Sequence, residues 1–124
     1  MPASFTIDLA RRVVYSRGWG ILVDDDLRET QRGVRDAVGF ESDFCQLYDF
    51  SGVTELRVTG EGLREMARQS PFDRNARRAV VVDSDVAFGM VRMFQIVGDR
   101  ETPEFQIFRD RETAQHWLDS GIAD

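Results

Sequence analysis

Arg77-Arg78-Ala79-Val80-Val81-Val82 forms an unbroken, strongly β-branched run in the middle of the chain. A strand with one face in water alternates apolar and polar residues, whereas a strand covered on both faces has no need to. The run therefore predicts a central strand buried on both sides, and both coverings have to come from elsewhere in the chain.

The flanking segments supply them. Ser4–Leu9 and Val13–Ile21 carry Phe5, Ile7, Val13, Val14, Tyr15 and Trp19 at roughly alternate positions around the turn at Ala10 and Arg11, the pattern of a hairpin. Asp24-Asp25-Asp26 precede Leu27, Val34 and Val38, spaced along one side of a helix that ends near Gly39. Phe44–Phe50 reads as a third strand with its exit at Ser51-Gly52, and Thr59-Gly60-Glu61-Gly62 opens a helix through Leu63, Met66 and Ala67 that stops at Ser70-Pro71. Asp83–Val97 predicts a third helix, Glu104–Phe108 a last strand, and Arg111–Leu118 a closing helix with Trp117 and Leu118 turned inward. Strands alternating with helices give an α/β class: a mixed, mostly parallel five-stranded sheet with an N-terminal hairpin and about four helices. At 124 residues, without a linker or repeat, the chain makes one domain, 1–124.

Composition removes several kinds of chemistry. With 42% hydrophobic and 31% charged residues the chain is too apolar for a disordered segment and too polar for a membrane protein. The most apolar region, Val86–Val97, is interrupted by Gly89, Arg92 and Gln95 and is shorter than the roughly 20 residues that cross a bilayer. All 16 basic residues are arginine, so lysine Schiff-base chemistry and a P-loop lysine are excluded. A net charge of −6 repels phosphate backbones, which makes nucleic acid an unfavourable partner. Cys45 stands alone and the N-terminus lacks the apolar core of a secretory signal, so the expected compartment is the cytoplasm. Cys45 and the single histidine, His116, cannot supply a zinc site, and His116 has no pattern around it that suggests a triad. The expectation is therefore no metal and no cofactor, with the three aspartates capping a helix, Cys45 packed in the core and His116 on the surface.

Two segments retain functional potential. At Thr59-Gly60-Glu61-Gly62 the free N–H groups of a helix start could hold an anion, with Gly60 and Gly62 giving close approach and Thr59 the hydroxyl; the simpler reading makes Thr59 an N-cap. In the third helix only positions 85, 89, 92 and 95 are polar or small, so apolar residues occupy most of the circumference and more than one face needs a cover. Phe88, Met90 and Phe94 are candidates to wall a ligand recess at the carboxyl ends of the strands, and Met90, Met93 and Val97 to form a homodimer contact.

The hairpin ending in Trp19-Gly20, the strand Tyr48-Asp49-Phe50-Ser51-Gly52-Val53, the Gly62-Leu63 helix start and the Val80-Val81-Val82 strand together resemble the SpoIIAA-like, STAS-type domains, related to anti-sigma factor antagonists and to the STAS/SEC14-like lipid-binding group. The resemblance covers most of the chain and implies a regulatory or lipid-binding role. In the phosphoswitch members a serine-bearing turn opens the helix after the third strand; here Thr59-Gly60-Glu61-Gly62 stands in that place without a serine, so Thr59 is not expected to be an obligatory phosphoacceptor. The function expected is a non-catalytic regulatory or binding module that engages a protein partner or a small apolar or lipid-like amphiphile. The alternative is a small α/β enzyme using carboxylate acid–base chemistry, with Asp49, Glu61, Arg77 and Arg78 near strand and helix ends. Arg77 and Arg78 are otherwise expected to pair with carboxylates or to lie in solvent.

Overall fold

The structure, a computed structural model, describes residues 3–97 and 105–120, with only the backbone of Phe94 and Val97. Its elements run β1 (Ala3–Asp8), β2 (Val13–Val23), α1 (Asp24–Asp36), β3 (Cys45–Arg57), α2 (Gly60–Arg68), β4 (Arg78–Val81), α3 (Asp85–Val97), β5 (Phe105–Phe108) and α4 (Arg111–Ser120). The five strands lie side by side in chain order. β1 is antiparallel to β2, and every later pair is parallel. The expected mixed α/β sheet with its N-terminal hairpin is thus the architecture observed.

Chain-order growth has a consequence for where the helices go. Each β-helix-β crossover is right-handed because a right-twisted strand packs its helix back onto the sheet only that way. Three successive crossovers in the same direction therefore place α1, α2 and α3 on one face. The opposite face is left to α4, which contacts β3, β4 and β5. Strand alternation then sorts the side chains. Val13, Leu47, Ala79 and Val81 pack with Ala114 and Leu118 under α4. The even-numbered residues of β2, β3 and β4 face mainly the other way, and two clusters form there with the helices, one around Leu22, Phe50, Leu56, Val82 and Val91, the other around Val14, Val34, Phe44 and Phe72.

Several boundaries differ from the sequence expectation. β3 does not end at Ser51-Gly52 but continues to Arg57 beside a β2 that itself reaches Val23. Extending the ladder buries Leu56 against Leu22, and two register shifts, after Arg17 and after Gly20, absorb the mismatch. Gly20 sits at the second with φ +64, where a side chain would be strained. α1 stops at Asp36, so Val38 falls beyond the helix and is 94% exposed rather than in line with Leu27 and Val34. β4 is not closed on both faces: Ala79 and Val81 are buried under α4, but Arg78 and Val80 are only half-buried on the other side. Among the described residues no helix is long and apolar enough to cross a membrane.

Candidate functional site

The half-open face of β4 is the floor of a cavity of about 140 Å³ roofed by α1, α2 and α3. Interiors are normally packed with few voids larger than a water molecule, so a space of this size between sheet and helices is a departure that calls for a reason. Its walls are mainly apolar: Leu27 and Val34 from α1, Leu63 and Met66 from α2, Val91 from α3, and Phe50, Phe72, Val80 and Phe105. α2 is short, and it presents the small Ala67 where a larger side chain would close the gap.

Polar groups on the floor come from two adjacent strands. Gln46 and Arg78 are register partners on β3 and β4, and Tyr48 pairs with Val80 one step further along the same face. Arg78 Nε donates to Gln46 Oε1 at 2.9 Å, and Gln46 Nε2 donates to Ser16 Oγ at 3.1 Å, so a short polar chain crosses the sheet beneath the cavity. The Arg78 guanidinium lies over the Phe72 ring, 5.2 Å from its centroid. No carboxylate among the described residues pairs with it. Burial lowers Arg78 to about 10, which leaves it cationic at neutral pH. Burial also pushes the Tyr48 phenol up to about 12, against the opposing influence of Thr30 and the Arg78 cation. Tyr48 Oη is buried beside Thr30, whose hydroxyl donates to Asp26 O at 2.9 Å, and no hydrogen bond of good geometry satisfies the phenol. Of the expectation that Arg77 and Arg78 would meet carboxylates or solvent, the carboxylate alternative is corrected for both: each is half-buried, and among the described residues neither pairs with an acid. Arg77 donates to Trp117 O at 2.8 Å and Ser120 Oγ at 3.1 Å and stacks on the Trp117 ring. The adjacent arginines point to opposite faces because β-strand side chains alternate.

The helix start at Thr59 is already provided with an anion. Asp24, the first residue of α1, reaches across to α2: Thr59 N donates to Asp24 Oδ1 at 2.8 Å and Thr59 Oγ1 to Asp24 Oδ2 at 2.6 Å. Thr59 Oγ1 in turn accepts from Gly62 N at 3.0 Å, the N-cap geometry. A Cβ on Gly62 would stand 2.4 Å from the Asp24 carboxylate, so the absence of a side chain is what lets the two helix starts meet. Asp24 caps the neighbouring helix instead of its own, whose N-cap is Val23. Asp25 pairs with Arg28, and Asp26 accepts the Val23 N–H at 2.9 Å. The three carboxylates thus diverge. Asp24→Ala is expected to lower stability by about 0.5–2 kcal/mol, with Asp24→Asn recovering part of it. Urea unfolding with an unchanged m-value measures this, and a midpoint equal to the wild type for Asp24→Ala would show that water replaces the carboxylate fully.

The other residues singled out from the sequence are dispersed. Neither Gly60, Gly62, Phe88 nor Met90 lines the cavity. Phe88 and Met90 pack against the Leu22–Phe50 cluster, with Arg109 over the Phe88 ring at 4.5 Å. The side chains of Phe94 and Val97 lie outside the described residues. Among the described strands the order never reverses, so the sheet has no switch point of the kind that opens a crevice at the strands' carboxyl ends. Asp49 lies on the α4 side, 3.9 Å from Arg111, and Glu61 is exposed at the start of α2, so the carboxylates considered for acid–base work are not brought together. Cys45 is half-buried against the cluster under α4, and desolvation raises its thiol pKa. His116 is exposed.

Neither a protein-family model nor a curated protein matches the chain. Among solved structures, it is similar to an uncharacterized protein of the DUF3478 family with a SpoIIAA-like fold from Shewanella loihica, with a TM-score of 0.64 over 94% of this chain and 93% of that one at 15% identity. The sequential five-stranded sheet, its leading hairpin and this likeness together establish that the chain has a SpoIIAA-like fold.

Proposed function

We propose that this protein is a non-catalytic binding module whose ligand is a compact, mostly apolar molecule held between the sheet and helices α1–α3. The observation that carries the reading is the cavity itself, walled by aliphatic and aromatic side chains with Gln46, Tyr48 and Arg78 grouped on its floor, the usual make-up of a small-molecule site. Size narrows the ligand. An apolar protein cavity of about 150 Å³ takes benzene, so a volume of about 140 Å³ suits a single ring or a short chain better than a whole phospholipid. The test is thermal unfolding with toluene, hexanol and hexanoate. At 100 times Kd a ligand adds about 2.7 kcal/mol, a rise of roughly 10 °C for a domain of this length. If none of the three moves the midpoint at millimolar concentration, the binding reading fails.

A second reading concerns partners, and it rests on α3. Ala87 and Val91 are buried, whereas Val86 (75%), Met93 (64%) and Ile96 (63%) are exposed in one stripe that also contains Gly89, where an added Cβ would meet nothing within 4 Å. We propose that a second copy of the chain covers this stripe. Light scattering is expected to show a mass rising towards the dimer at high micromolar concentration, and Met93→Glu to hold the protein as a monomer. A wild type that stays monomeric there would exclude self-association.

A further inference from the structure

We propose that the cavity selects a monoanion, a compact apolar carboxylate whose two oxygens accept from the Nη groups of Arg78 and from the Tyr48 hydroxyl while its hydrocarbon part fills the apolar space. The proposal rests on the cavity reading above and specifies the charge of what enters.

Three observations carry it. Arg78 faces the cavity with its Nε committed to Gln46 and its plane over Phe72, which fixes the fork and leaves both Nη groups without a hydrogen-bond partner. An interior cation is costly unless something compensates its charge, and among the described residues no carboxylate does. Tyr48 Oη, on the same sheet face one register step away, is a buried hydroxyl without a well-formed hydrogen bond. Natural interiors leave few such groups, and a buried hydroxyl of this kind on the same cavity floor as a guanidinium with no carboxylate beside it marks the place where an acceptor is missing. Thirdly, the groove between α1 and α2 shares Gln31 and Met66 with the cavity and carries Arg28, Arg32 and Arg35; Asp25 and Glu65 both face Arg28, and the remaining two arginines leave the groove positive. In a chain of net charge −6 this is a local positive approach, suited to drawing in an anion.

The same inventory decides between anions. Among the described residues Arg78 is the only charged one lining the cavity, so one unit of negative charge is matched and a phosphate dianion is not. The planar fork of arginine fits a carboxylate through two parallel hydrogen bonds. An amine would set a second cation beside the first, and an alcohol would satisfy one donor and leave the charge uncompensated.

The experiment compares benzoate with benzyl alcohol and benzylamine, three probes of nearly equal size, by calorimetry and by chemical-shift mapping on the intact chain. Benzoate is expected to bind at least about tenfold more tightly than benzyl alcohol, and benzylamine not at all. Arg78→Gln is expected to erase the preference, bringing benzoate down to the level of the alcohol. Tyr48→Phe is expected to weaken benzoate about three- to tenfold and to leave the free protein as stable as the wild type or more so, because it removes a buried hydroxyl without a well-formed hydrogen bond. The preference measured on the wild type stands whether or not either variant folds. Equal binding of benzoate and benzyl alcohol overturns the carboxylate assignment while leaving an apolar site in place, as does an Arg78→Gln protein that keeps the preference. Failure of all three probes, together with toluene, overturns the site itself.

Discussion

Phe44→Ala is expected to remove about 3–5 kcal/mol of stability, the largest loss from any single truncation near the cavity. Phe44 is 1% exposed and belongs to the cluster of Val14, Val34 and Phe72. Its ring meets Phe40 edge-on at 5.5 Å, Phe40 meets Phe72 at 5.3 Å, and Arg12 caps the outer side at 4.7 Å. The loss would reach beyond the deleted ring, because Phe72 closes one end of the cavity and supports the Arg78 guanidinium. Ligand affinity should therefore fall together with stability. Urea denaturation measures the first and calorimetry the second. A loss below about 1.5 kcal/mol would mean that the segment after Pro71 collapses onto the vacancy, and that the three-ring stack is not what holds this end of the cavity.

Val80→Phe is expected to have the opposite profile, abolishing the ligand response while leaving the fold intact. Val80 stands at the centre of the cavity floor, next to Tyr48 across the ladder. A phenyl ring there extends into the existing space, so filling the cavity is expected to keep stability within about 1–2 kcal/mol of the wild type, with overpacking and cavity-filling in partial balance. The thermal rise of roughly 10 °C produced by a saturating probe should vanish. A variant that folds normally and still responds to toluene as the wild type does would place the ligand somewhere other than between the sheet and α1–α3.

Much of the architecture was legible in the residues. The Val80-Val81-Val82 run, the alternation in Val13–Ile21 and the helical spacing around Leu63, Met66 and Ala67 each depend on side chains facing a core, and local periodicity records that directly. The Thr59 cap was legible for the same reason, since its partner Gly62 is three residues away. The extension of β3 was not. Ser51-Gly52 is a local turn signal, and what overrides it is the burial of Leu56 on Leu22, a contact made across the sheet.

The candidate site divides in the same way. A phase signal was present, because Arg78 is two residues from Val80 and Gln46 two from Tyr48, which puts each pair on one face of its strand. That signal could not say which face held the space. The chain alone determined the class of fold, the leading hairpin and the absence of lysine chemistry, because these follow from residue identity and short-range spacing. Only the tertiary structure decided that three right-handed crossovers in one direction would stack α1, α2 and α3 over a single face, that Asp24 would occupy the α2 start in place of an outside anion, and that Arg78 and Tyr48 would meet beneath a gap. Each of those outcomes depends on how elements distant in sequence pack, and no periodicity within one element encodes the volume left between them.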